Sequence, residues 1–138
     1  MASLIYNSCV ENLANNNIDF GADTFKVMLV TSSYTPDKDA HGYRDDVTDE
    51  ASGTGYTTGG ETIACTVSRN DANDRVVLTF AATSWTSSTF GAAGAVYYKS
   101  RGGASSADEL IAYADFGGTV SATNDTFALA ATTITIQN

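Results

Sequence analysis

Apolar and polar positions alternate along most of this chain, with helical spacing near the N-terminus and in one short polar excursion. Residues 3 to 16 carry Ile5, Cys9, Val10 and Leu13 at helical spacing, with Ser3 as a candidate N-cap and Asn15-Asn16-Asn17 as a stop, which predicts one amphipathic helix of about three turns. From Phe25 the period is two, outside the excursion after Pro36. Phe25, Val27 and Leu29 alternate with Lys26, Met28 and Val30, and because both sets are largely apolar the segment reads as a central strand covered on each side, ended by Pro36. Asp37 to Ser52 is a polar excursion in which Tyr43, Val47 and Glu50 fall on one side of a predicted short helix.

A hairpin follows. Ile63, Cys65 and Val67 point one way and Thr62, Thr66 and Ser68 the other; after Asn70 to Asp74, Val76, Leu78 and Phe80 alternate with Arg75, Val77 and Thr79. Further strands are predicted around Trp85, then at Ala93 to Lys99, Leu110 to Phe116, Phe127 to Ala131 and Ile134 to Ile136, with a phase slip between Ala131 and Ile134 that marks a bulge or a change of sheet. Seven or eight short strands with Gly, Asn and Asp turns predict a mainly β chain: a two-sheet β-sandwich, jelly-roll-like, with the N-terminal helix (1–17) at its edge and a short helical loop insertion. No helix follows each strand, which disfavours a doubly wound fold.

Length and composition change this picture little. At 138 residues the chain fits one domain, 1–138, able to bury roughly 65–70% of its unfolded surface. Seven basic against sixteen acidic residues give a net charge of −9, a surface repelled by phosphate backbones and anionic lipid, so no direct nucleic-acid or membrane partner is expected. Cys9 and Cys65 lie far apart, suggesting neither a disulfide scaffold nor a zinc site, and Cys65 reads as a core thiol. Leu4-Ile5-Tyr6 is too short for a signal or membrane segment, and the protein is expected to stay where it is made.

Candidate chemistry is sparse, and neither a catalytic residue nor a cofactor is expected. The single histidine, His41, reads as an exposed loop residue, and no G-x-S-x-G elbow frames a serine. Asp37-Lys38-Asp39-Ala40-His41-Gly42 begins like a calcium loop, but position five is histidine and position twelve is Thr48, so a solvated acidic loop is the better reading and no metal is expected. Gly53 to Gly60 has no Lys-Ser/Thr pair behind it and reads as a turn. Trp85, Tyr97 and Tyr98 offer aromatic faces for a sugar platform, although core or interface anchoring is the commoner use of such residues.

In chain order, KVMLVTSSYTPDKDAH, SGTGYTTGG, NDRVVLTF, SWTSSTF, AVYYK, LIAYADFGG and TNDTF resemble a family of small tailed-bacteriophage structural proteins, from Ile18 to Phe127. The role that best matches the resemblance is a capsid decoration or cement protein. It implies a non-enzymatic chain on the capsid exterior of a virion assembled in the bacterial cytoplasm, bridging neighbouring copies of the major capsid protein and associating with itself. One departure is the small, glycine-rich stretch Gly91 to Ala95, where relatives are expected to carry bulkier strand residues. For the shell-facing surface, the loop residues that combine aromatic bulk with charge are Tyr34, Tyr43 and Arg44, with Asp45 and Asp46 as pairing partners for capsid lysines or arginines. The alternatives are a tail or head-tail connector subunit, a glycan-binding module using Trp85 or the tyrosines, and, least favoured, a small hydrolase using His41.

Overall fold

The computed structural model describes residues 2–138. Its elements are β1 (Leu4–Ile5), α1 (Asn7–Ala14), β2 (Phe25–Val30), β3 (Glu61–Ile63), β4 (Cys65–Asn70), β5 (Arg75–Phe80), β6 (Thr83–Lys99), β7 (Leu110–Leu129) and β8 (Thr132–Gln137). They form a two-sheet β-sandwich: a five-stranded sheet in the order β1-β7-β6-β2-β3 and a three-stranded sheet in the order β4-β5-β8. All named pairings are antiparallel.

The doubly apolar β2 explains the layering. Phe25, Val27 and Leu29 enter the core between the sheets with Leu78, Phe80 and Ile134, while Met28 and Val30 on the other face join Val96, Tyr98, Leu110 and Tyr113. That second face is roofed by the chain itself, through Tyr6, Tyr34 and Val47. The expected burial on both faces is therefore met within one chain, and β2 is not a subunit interface. The roof is the excursion after β2, stitched down by Ala51 N–H to Leu29 O at 2.8 Å, Arg44 N–H to Asp108 O at 2.9 Å and Leu110 N–H to Gly42 O at 3.0 Å.

Several boundaries differ from expectation for identifiable reasons. The helix begins at Asn7, because Leu4 and Ile5 pair with Tyr113 and Ala112 of β7 instead; Tyr6 is the N-cap, and Ser3 uses its Oγ to accept from Asp115 N–H at 2.9 Å. The Asn stop holds, with Asn16 in the left-handed region. β2 ends at Val30, before Pro36. The predicted helix in the excursion is only a 3-10 turn at Arg44–Asp46, since its backbone is spent on bridges to the sheet at Val30–Glu50 and Tyr43–Glu109. Ile63 and Cys65 belong to different sheets: the chain crosses from β3 to β4 at Ala64, and Cys65 is half-buried, not a core thiol. The β4–β5 hairpin itself pairs Cys65 with Phe80 and Val67 with Leu78. The phase slip after Ala131 is a change of sheet, from β7 to β8.

The four strands predicted between Trp85 and Ala131 are two long ones, of 17 and 20 residues, bent by register shifts between Trp85 and Ser88, Ser88 and Phe90, and Ala92 and Gly94. Glycines that read as turns are bulges inside one hairpin. Gly94 accounts for the small stretch Gly91 to Ala95: the Tyr113 ring lies against its Cα, where any Cβ would overlap it. Aromatic side chains fill the core in two groups, Phe20, Phe25, Phe80 and Tyr97 at one end and Trp85, Phe90, Phe127 and Tyr56 at the other.

Candidate interaction surface

The five residues proposed from sequence share one segment but not one environment. Tyr34 is 3% exposed, so it cannot present its ring to a partner. Its hydroxyl lies 2.8 Å from that of Tyr6 and 3.0 Å from His41 Nδ1. Because the Asp37 amide also donates to Nδ1, at 3.1 Å, that nitrogen is an acceptor, and the hydroxyls run Tyr6 to Tyr34 to His41. Burial, then the bond to Tyr34, pushes the Tyr6 phenol far above its ordinary range, and burial raises Tyr34 as well. His41 is thus half-buried and stacked on Tyr34 with ring centroids 5.7 Å apart, not a free loop residue.

Asp46 also works inward. Its carboxylate accepts from Gly42 N–H at 2.8 Å and Tyr43 N–H at 2.9 Å, closing the 3-10 turn. Burial alone would raise its pKa, but those two amides, Tyr43 first, hold it below the usual range. Arg44 bonds Asp108 Oδ2 through Nε at 2.8 Å and lies over the Tyr98 ring at 5.2 Å. That leaves Tyr43, 44% exposed, and Asp45 as the two of the five that face solvent.

Sequence reasoning missed the acidic pair Asp108-Glu109 ahead of the Leu110 strand. Both are buried, at 1% and 3% exposure. Asp108 accepts from Arg44 and from Arg101 N–H at 2.8 Å, and Glu109 takes Arg101 in a two-pronged pair at 2.6 and 2.8 Å. Beside them Lys99 pairs with Asp23 at 2.8 Å and donates to Asn17 O at 2.6 Å. Burial opposes ionisation of Asp23, but the Asp19 amide and then Lys99 keep its pKa low. This cluster ties the roof, the β6–β7 connection and the loop after α1 together. The legible signal was two carboxylates directly before an apolar strand, in a chain whose arginines are few.

The remaining motifs also serve the fold. Trp85, Tyr97 and Tyr98 are at most 2% exposed, so none is a sugar platform. The Asp37 carboxylate caps Asp39 and Ala40 N–H at 3.0 Å, and Asp39 accepts from Asn7 Nδ2 at 2.6 Å. Gly60 packs so closely on β2 that a Cβ would overlap the Val27 carbonyl, which makes Gly53 to Gly60 a turn clasped to the sheet. Glu50 fastens it, accepting from Tyr56 Oη at 2.7 Å and Gly59 N–H at 2.6 Å.

Four of the six exposed large apolar side chains among the described residues lie on the open side of the sandwich, where α1 passes the small sheet: Val10 at 60%, Leu13 at 37%, Val67 at 49% and Ile136 at 44%; the other two are Tyr43 and Val120 of β7. Val10 borders an open groove between β1 and β8, while Leu13, Val67 and Ile136 border a second one at the end of the small sheet. Among the described residues no helix is long and apolar enough to cross a membrane. The chain matches no protein-family model, no curated protein and no solved structure.

Proposed function

We propose that this chain is a non-enzymatic structural protein of a tailed-bacteriophage virion, assembled in the host cytoplasm, that binds the outside of the capsid and bridges neighbouring major capsid subunits. The observation that carries this reading is the roof over β2. Three of its five candidate contact residues, Tyr34, Arg44 and Asp46, are spent on holding it, and two, Tyr43 and Asp45, stand out from it. A tyrosine and a carboxylate on a pinned loop lose little conformational freedom on docking, which favours a protein contact. The ordered motifs from Ile18 to Phe127 resemble phage structural proteins and supply the partner. Each copy would add a modest contact across a subunit boundary, repeated by the symmetry of the shell, and binding only the assembled state stabilises it by mass action.

Empty heads saturated with the protein should withstand heating to a higher temperature than bare heads. Tyr43→Ala with Asp45→Ala should weaken binding by about tenfold or more, as expected for loss of an aromatic anchor and a charge pair. Unchanged affinity in that double variant would remove the roof from the account and turn attention to the α1 side.

A further inference from the structure

We propose that the free edge of β8 pairs with β8 of a second copy, joining two small sheets into one six-stranded sheet across a two-fold axis. β8 ends the order β4-β5-β8, and among the described residues its one strand partner is β5. Edges are ordinarily blunted by shortness, charge, proline or a bulge. The other edges here follow that rule: β1 and β3 have two and three residues, β4 carries Arg69, paired with Asp71 at 2.9 Å, and where β6 and β7 run past β2 and β1 they are broken by register shifts, with Asp115 and Asp125 on β7. β8 is six residues, Thr-Thr-Ile-Thr-Ile-Gln, with no charge, proline or glycine and an unbroken register on β5.

The outward groups follow from the ladder. Each residue sends its N–H and C=O to the same side and neighbours alternate. Asn138 N–H bonds Asp74 O at 2.9 Å, and Ala81 N–H bonds Ala64 O at 2.9 Å on the opposite flank of β5. Even-numbered β8 residues therefore face β5, and Thr133, Thr135 and Gln137 point their backbone groups away from it. An antiparallel copy centred on Thr135 sets Thr135 opposite itself and Thr133 opposite Gln137, exchanging about six hydrogen bonds. On the inner face the same register sets Ile136, 44% exposed, against Ile134 of the copy.

Charge selects a second copy as the occupant. Copies of a chain with net charge −9 repel wherever carboxylates meet. β8 has no carboxylate, and the groove beside it is lined by Ser3, Leu4, Asn7, Val10 and Lys38, with no acid among its lining residues. The edge is thus matched to itself in register, polarity and charge. The inference stands apart from the capsid reading, because the purified chain alone tests it.

Sedimentation of the full chain over rising concentration should give twice the 14.4 kDa mass of one chain. Thr135→Pro removes only an outward N–H and should return the single-chain mass with an unchanged far-ultraviolet spectrum. In a Cys9→Ala, Cys65→Ser background, Thr135→Cys should form an intermolecular disulfide on oxidation, its two Cα atoms lying about 5.5 Å apart. Thr133→Cys should not, its copies being roughly 13 Å apart. A wild-type chain that stays single at every concentration, a folded Thr135→Pro dimer, or faster cross-linking at 133 than at 135 would each overturn the proposal.

Discussion

Tyr34 shows how a residue type can be right for an interface and still be spent on the fold. Its neighbours Thr35 and Pro36 gave it the look of a loop tip, but an apolar sheet face beneath needed covering, and a tyrosine covers area while its hydroxyl finds a partner. Of the seven tyrosines, Tyr6, Tyr34, Tyr56, Tyr97, Tyr98 and Tyr113 have phenols raised above the ordinary range, burial being the leading cause in each; Tyr98 is pushed up to about 12. In the unfolded chain they ionise near pH 10. Stability from these groups is therefore complete below about pH 10 and is lost as pH rises toward the folded values, by roughly 1.4 kcal/mol per pH unit for each phenol. Absorbance at 295 nm should show most phenols silent until a cooperative step coincides with loss of structure. Independent titration of all of them near pH 10 in a chain that keeps its circular dichroism would contradict the burial described.

Gly94 and Asp108 test the arrangement of elements. Gly94→Val would force the Tyr113 ring off β6, and Tyr113 carries the outer face of the large sheet, so a loss of about 1–3 kcal/mol or more is expected in urea denaturation. Asp108→Ala strips Arg44 and the Arg101 amide of their shared acceptor. Arg44 retains 21% of its side-chain exposure, so the cost should be about 2–3 kcal/mol and not the full value for a wholly buried pair. Period-two alternation made β2, β4 and β5 legible because each has an unbroken run of side chains on a defined face. It divided β6 and β7 wrongly, since Gly94, Gly117 and Gly118, at the register shift after Ala92, carry the same local signal in a bulge as in a turn. The crossing at Ala64 was invisible for the opposite reason: Ile63 and Cys65 keep perfect alternation although their strands lie in different sheets. Of the contact candidates, Tyr43 and Asp45 were legible as loop residues. The inward role of Arg44 was not, because its partners Asp108 and Tyr98 lie more than fifty positions away along the chain, and Asp46 turns inward to the Gly42 and Tyr43 amides of its own turn.

At the scale of the molecule, the long excursion is a third layer and not a free arm. It buries the face of the large sheet that would otherwise invite association, while the Tyr43–Asp45 tip, and the open side with β8 and the α1 apolar residues, stay turned outward. One supplies a contact with charge and an aromatic ring; the other supplies an uncharged edge for a second copy. A dimer would carry two tips, and two modest contacts on a rigid body bind a repeating lattice more tightly than one. The most direct measurement is co-sedimentation of the purified protein with empty heads and, separately, with isolated tails of the same phage, scored as copies bound per particle. The account predicts saturable binding to heads in the hundreds of copies, whereas binding confined to tails, or to neither, would contradict it.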